Sequence, residues 1–208
     1  PSVKYNASIR TMQQAMYDAL LKYVDTPPRV VPWLAEKYDV SADGLTYTFN
    51  LADGVTFHDG SAMTAEDVAA SLRRVQNEEM ASPLASRISP ITAINVVDDG
   101  AIALSLDAPF APILTSLAGI AIVPAEMEMD AEALQQVPVG TGPFKFEEWV
   151  PNSHIQLVAF DGYREAQMPK VDGVKFSIVP EAATRQVGLV SGQFDLLPGV
   201  DPATALQL

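Results

Sequence analysis

His58 is one of only two histidines in a chain of 208 residues. It stands in a run of groups that could do chemistry, FHDGSAMTAEDVAASLRRV, from Phe57 to Val75. Asp59 adjoins it, and Glu66 and Asp67 follow. A histidine near carboxylates is the raw material of a general acid/base pair or a metal site, because a neutral imidazole moves protons near neutral pH and ligates divalent cations. The spacing argues against both uses. Adjacent side chains on a strand point to opposite faces, so His58 and Asp59 do not converge. No second histidine completes a His-x-x-x-His ligand set. Glu66 and Asp67 fall in the first turn of a predicted helix, where negative charge complements exposed N–H groups, and Thr64 with Asp67 has capping-box spacing. Arg73 and Arg74 lie nearer the other end, where positive charge is favoured. The second histidine, His154 beside Ser153, reads as a surface strand or turn residue.

Other chemical motifs each lack a required member. GTGPFKF begins like a dinucleotide loop, but Lys145 stands where the third glycine belongs. There is no Gly-Lys-Ser/Thr phosphate loop and no Gly-x-Ser-x-Gly nucleophile elbow. The absence of cysteine excludes disulfides, thiolate metal sites and cysteine nucleophiles. Asn6-Ala7-Ser8 fits a glycosylation acceptor, a pattern common by chance. No metal or organic cofactor is expected.

Composition bounds the partners. Twenty-six acids against thirteen bases give a net charge of −13. Such a surface repels phosphate backbones, which makes nucleic acid and anionic membrane poor partners. Apolar residues make up 48% of the chain, which excludes an acidic disordered tail. A chain of this size buries roughly 70% of its unfolded surface, enough for a core. The most apolar run, from Ile113 to Ala125, is broken by Ser116, Gly119 and Pro124 and is too short to span a bilayer. Pro1 is not an initiator Met and no signal-peptide pattern is present, so a processed form or a fragment is expected.

The elements that must position these groups follow from periodicity. Ile9, Met12, Ala15, Met16, Ala19, Leu20 and Tyr23 recur at helical steps, and Pro27-Pro28 end that helix. Leu45, Tyr47, Phe49 and Leu51 alternate as a half-buried strand. Asp53-Gly54 predicts a hairpin returning through Val55–Phe57, and Asp59-Gly60 marks another turn. Asp99-Gly100 predicts a hairpin joining Ile91–Val97 to Ala101–Leu106. Further strands are expected over Pro143–Val150, His154–Phe160 and Val174–Val179. Helices are expected over Ala65–Glu78, Ala111–Leu117, Ala131–Gln136 and Ala182–Val190. Strand runs with interspersed helices argue a mixed α/β (α+β) class.

The ordered motifs resemble bacterial extracellular solute-binding proteins of family 5, the dipeptide-, oligopeptide- and nickel-binding receptors of ABC importers. MYDALLKY is similar to an early helix of that family. VPWLAEKYDVSADGLTYTFNLADGVTFHDGSAMTAEDVAASLRRV is similar to its most recognisable signature. SPLASRI, VVDDGAIALSLDAPFAPILTSLA and the stretch from Val139 to Val200 follow in family order. Arg164 stands where the family usually carries Trp. The resemblance implies a periplasmic-binding-protein type II-like lobe with a mixed sheet and an inserted α+β subdomain. Residues 1–30 and 138–208 would form the N-terminal part of the main lobe and residues 31–137 the insert, with the second lobe absent from this chain. It further implies ligand contacts from the segment before the first helix (Lys4, Tyr5, Asn6, Ala7), from the loop Ser82, Pro83 and Leu84, and from Pro198, Gly199 and Val200. The implied function is a non-enzymatic receptor that captures a peptide-like or related small solute and delivers it to ABC permease subunits. It would work in the periplasm or outside the cell, touching the membrane only through the transporter or a removed anchor. The family handles peptides, nickel chelates, opines and sugars, and fold does not choose among them. Two alternatives stand beside it: a hydrolase using His58, Asp59 or Glu66, and a ligand-free interaction module of the same fold.

Overall fold

The computed structural model describes residues 7–127, 138–200 and 205, with side chains described from residue 11 onward. The expected glycosylation acceptor and the expected helix Ala131–Gln136 lie outside the described side chains and residues. The chain is mixed α/β, with three separate sheets among the described residues.

Helix α1 spans Ala7–Met16. Helical periodicity predicts continuation to Tyr23, but the helix stops at Met16 and Leu21–Val24 forms strand β1, paired antiparallel with β2 (Arg29–Pro32). The reason is tertiary. The carbonyls of Ala19 and Leu20 accept hydrogen bonds from the backbone N–H groups of Leu34, Trp33 and Ala35. The backbone groups are therefore satisfied by a partner segment instead of by the next helical turn. Leu20 and Leu21 end fully buried; the helical stripe predicts this for Leu20 alone, so periodicity found its burial but not the conformation.

The second sheet carries most of the core. β3 (Ala35–Val40), β4 (Thr46–Leu51), β5 (Ile91–Asp98) and β6 (Ala101–Leu106) lie in the order β3-β4-β6-β5, all antiparallel. Tyr47, Phe49 and Leu51 point to the buried side, opposite Leu104 and Ile102 on β6. Helix α2 (Ala65–Gln76) lays Val68, Leu72 and Val75 into the same core. Burying each such side chain contributes about 1.5–3 kcal/mol. The Asp53-Gly54 turn forms, with Gly54 at φ 71°. The expected return strand does not pair with β4, because β3 and β6 already occupy both its edges. Val55–Phe57 instead folds against the segment beyond Asp59-Gly60, through Met63 N–H to Val55 O, Phe57 N–H to Ser61 O, and the Thr56–Ala62 bridge.

Two short helices, α3 (Ala85–Ile88) and α4 (Ile113–Leu117), pack against each other at one end of this layer. The third sheet is an antiparallel meander of β7 (Phe144–Val150), β8 (His154–Ala159) and β9 (Gly173–Ser177). Helix α5 (Ala182–Val190) follows it.

Candidate functional site

His58 is placed by backbone, not by carboxylates. Its Nε2 lies 3.0 Å from Gly142 O, and Gly140 N–H donates to its Nδ1 at 3.2 Å. This pair of contacts fits the Nε2–H tautomer, donor to Gly142 and acceptor from Gly140. His58 N–H donates to Gly140 O, and Phe160 meets the ring edge-on at 5.1 Å. Burial pushes the imidazole below its ordinary pKa, so the neutral form is favoured. Both nitrogens are therefore spent on clamping the turn Phe57–Gly60 to the segment Gly140–Gly142.

The same contact explains the glycine pair of GTGPFKF. A Cβ at Gly140 would lie 2.2 Å from Met16 O, and one at Gly142 would lie 2.5 Å from Met16 C. Gly142 N–H donates to Met16 O at 2.9 Å. These glycines permit close backbone approach at the end of α1 and cradle no phosphate.

The carboxylates near His58 also have structural partners. Asp59 accepts from the Ser61 backbone N–H and hydroxyl. Glu66 pairs with Arg73 at 2.6 Å. Asp67 is buried, and its Oδ2 accepts from the Thr64 backbone N–H and hydroxyl at 2.7 and 2.9 Å. Its Oδ1 accepts from Ala125 N–H at 2.8 Å, fastening the start of α2 to the loop after α4.

The other histidine sits in a hydrolase-like order. Ser153 Oγ is 2.9 Å from His154 Nδ1, and His154 Nε2 is 3.0 Å from Glu148 Oε1. A working triad needs a shielded site where the nucleophile and its base act away from bulk water. Here Ser153 is exposed at the tip of the β7–β8 hairpin and the Glu148 side chain is 55% exposed. The three groups tie neighbouring positions of one hairpin together.

A polar knot surrounds Trp33. Its indole N–H donates to Asp18 Oδ1 at 2.8 Å, while Lys22 and Arg164 lie over its ring at 2.8 and 4.3 Å from the centroid. Cations over an indole face are attracted by its quadrupole. Burial pushes the Asp18 carboxyl up to about 6, against the lowering effects of Trp33, Arg164 and Lys22. Burial likewise pushes the Tyr163 phenol up, with the Asp18 charge adding to it. Arg164, which departs from the family's usual Trp, thus places a charged guanidinium against the Trp33 ring.

Among the described residues, one open concave feature lies elsewhere. A cavity of about 370 Å³ opens between the β1 end, α3 and the entry to α4. Tyr23, Ser86, Arg87, Phe110, Thr115 and Ser116 line it, with Pro112. Its volume falls in the range of small-molecule sites, roughly 300–1,000 Å³. Tyr23 donates its hydroxyl to Thr115 O at 2.8 Å, which holds its ring against α4. Sequence reasoning missed Tyr23, Arg87, Phe110 and Thr115. Periodicity places Tyr23 in a helical stripe, and its contact with Thr115 spans 92 positions, a separation that no local pattern encodes.

Of the residues expected to contact ligand, Leu84 is half-buried against the main core and precedes α3 directly. Its carbonyl accepts from Arg87 N–H at 2.9 Å, so the loop Ser82–Leu84 leads straight into the cavity wall. Ala7 opens α1. Pro198 and Gly199 are exposed and Val200 half-buried, after α5, with Gly199 at φ 71°. Lys4, Tyr5 and Asn6 lie outside the described residues.

The architecture is that of periplasmic binding proteins. A chain of AgaA from A. tumefaciens R10, solved with agropinic acid, superposes with a TM-score of 0.85 at 33% identity, covering 90% of this chain and 38% of that one. DppA from Helicobacter pylori, solved with the peptide STSA, superposes with a TM-score of 0.86 at 28% identity, covering 98% of this chain and 44% of that one. In sequence, the glutathione-binding protein GsiB of Pectobacterium atrosepticum is 33% identical over 187 residues, covering 88% of this chain and 36% of that protein. The family model for bacterial extracellular solute-binding proteins, family 5 Middle, matches residues 29–208, and the chain belongs to that family. It spans about two fifths of the length of these relatives.

Proposed function

We propose that this chain is the N-terminal lobe of a solute receptor serving an ABC importer. The receptor captures a peptide-like or related small solute between two lobes and delivers it, chemically unchanged, to permease subunits at the cell envelope. The observation that carries this reading is the family match across residues 29–208, joined to similarity with relatives whose names record glutathione or peptide as ligand. A receptor needs two walls that close on a hinge and has no use for a nucleophile beside a base. His58, Asp59, Glu66 and Asp67 are all engaged in backbone or ion-pair contacts, which supports a role without turnover.

Within the lobe, residues 31–137 form the inserted subdomain and residues 1–30 with 138–208 the main part. Support comes from the four-stranded sheet and α2, which fall inside the first range, and the meander and α5, which fall outside it. Tyr5, Asn6, Ala7, Leu84, Pro198, Gly199 and Val200 contribute to the solute-facing edge. Support for the Leu84 segment is its continuity with Ser86 and Arg87 on the cavity wall.

The test is retention of a solute from a mixed peptide pool containing glutathione by the two-lobed protein of which this chain is one lobe, read by mass spectrometry after removal of unbound material. Intact peptides enriched on the protein are the expected result. Hydrolysed fragments accumulating with time would move the hydrolase reading ahead, and an empty protein would remove the receptor reading.

A further inference from the structure

Six of the chain's 12 glycines follow an aspartate: Gly44, Gly54, Gly60, Gly100, Gly162 and Gly173. An Asp-Gly step can close on itself. The glycine nitrogen bonds to the aspartate Cγ, gives up its proton, and a carboxyl oxygen leaves as water. The product is a succinimide ring. Water then opens the ring at either carbonyl. Opening at Cγ restores aspartate, and opening at the main-chain carbonyl gives isoaspartate, whose backbone runs through Cβ. One water leaves and one returns, so no oxidant or other reactant is needed. Glycine favours closure because no Cβ crowds the attacking nitrogen and φ is little restricted. In sequence the six steps are one dipeptide, and only their surroundings separate them.

Ring closure needs a free carboxylate and a peptide plane free to turn, so each hydrogen bond that holds either must first be broken. Asp43 accepts from the Ser41 hydroxyl and Leu45 N–H, and Gly44 N–H donates to Ser41 O. Asp59 accepts from the Ser61 N–H and hydroxyl, and Gly60 N–H donates to Phe57 O. Gly100 N–H donates to Asp98 Oδ1, while the Asp99 and Gly100 carbonyls accept from Ala65 and Leu51. Gly173 is paired with Val158 in the meander, and Asp172 O accepts from Ala159 N–H. At Gly162 the Phe160 ring packs so closely that a Cβ would lie 2.6 Å from it, and Gly162 O accepts from the Thr56 hydroxyl. Asp53-Gly54 has none of these restraints. Both residues are exposed, and neither makes a hydrogen bond or ion pair among the described residues. A Cβ at Gly54 would meet nothing within 4 Å, and its φ is 71°.

We propose that Asp53 is a site of spontaneous modification, the aspartate of this chain that converts to isoaspartate while the protein is folded. The consequence follows from its place. The turn carries the chain from Leu51, the last residue of β4, to Val55, and both are buried. Isoaspartate lengthens the backbone of that turn by one carbon. The segment beyond is fixed by Met63 N–H to Val55 O and by the Thr56–Ala62 bridge, and it leads into the His58 clamp on Gly140 and Gly142. A longer turn shifts Val55 and Phe57 against a close-packed core, so the modified chain melts at a lower temperature. The modification needs no ligand and does not depend on the receptor reading.

The test ages the whole natural protein that contains this chain in warm, mildly acidic buffer. Isoaspartate is located by electron-transfer fragmentation, which cuts its Cα–Cβ bond and so marks the position. In the folded protein, Asp53 should convert about fivefold faster than any other Asp-Gly step of the chain, the scale of one hydrogen bond that the others must break. In concentrated guanidinium the six steps share one environment, and their rates should converge. Asp53→Glu would need a six-membered ring, so it should stop conversion at this position and lose less melting temperature on ageing than the parent does. Faster conversion at another step, equal rates in the folded protein, or the same spread of rates in guanidinium overturns the proposal. So does an aged protein with no isoaspartate at position 53.

Discussion

At the scale of single residues, His58 shows how a chemically capable group is spent on architecture. The ring accepts from Gly140 and donates to Gly142, so His58→Ala strands one backbone donor and one acceptor in a half-buried joint. Leaving such groups unpaired costs about 1–3 kcal/mol each, less what water recovers, and the variant should lose about 2–3 kcal/mol in denaturant unfolding at pH 8. The pH dependence has a definite sign. Burial lowers the folded pKa from the ordinary 6.5, so the unfolded chain binds the proton more readily. The stability this ring supplies is fully present above pH 6.5 and is lost as pH falls below it. The gap between parent and His58→Ala should therefore narrow from pH 8 toward pH 5. Asp18, raised to about 6 by burial, titrates in the same window with the opposite sign, since its neutral form is the one favoured in the folded chain. Comparing parent and variant at each pH cancels that contribution.

At the scale of elements, α2 is held at its first turn. Asp67 collects the Thr64 backbone N–H, the Thr64 hydroxyl and the Ala125 N–H, so one carboxylate both starts the helix and anchors a loop 58 positions away. Thr64→Ala removes only the hydroxyl contact and should cost about 1 kcal/mol of stability, the usual scale for a lost cap. Chemical denaturation resolves that difference, and a variant as stable as the parent would show that Asp67 satisfies the helix start without Thr64. The capping pattern, the alternating strand Thr46–Leu51 and the Asp99-Gly100 hairpin were legible in the sequence because each depends on contacts within a few residues or on period alone. The end of α1 and the partners of β4 were not, because they depend on which distant edge is already occupied.

At the scale of the whole molecule, exposed apolar side chains lie in several places, Val97, Trp149 and Val171 among them, and the most exposed are on and just after α5. Val187 and Val190 on α5 are 67% and 72% exposed, and Leu196 just beyond is 72% exposed. The core surrounds the four-stranded sheet and α2 instead. If the lobe belongs to a longer two-lobed receptor, as proposed, this α5 side is where further polypeptide packs. The isolated chain should then bind an apolar fluorescent dye on that side, and the double variant Val187→Ser, Val190→Ser should reduce dye emission with little change in melting temperature. Unchanged emission in the double variant would place the sticky surface elsewhere.

The sequence by itself determined the mixed α/β class, most of the strands and helices, the absence of a complete catalytic motif, and the family, since each rests on local period, turn chemistry or the order of motifs along the chain. It also showed that His58 and its acidic neighbours lack a metal-binding spacing. Only the tertiary structure decided what His58 does, because its partners Gly140 and Gly142 lie 82 and 84 positions away. Tertiary packing also decided that the glycines of GTGPFKF serve close contact with Met16. It alone joined Tyr23, Arg87, Phe110 and Thr115 around one cavity. A cavity is bounded by surfaces that separate segments bring together, and its shape exists only once those segments have packed.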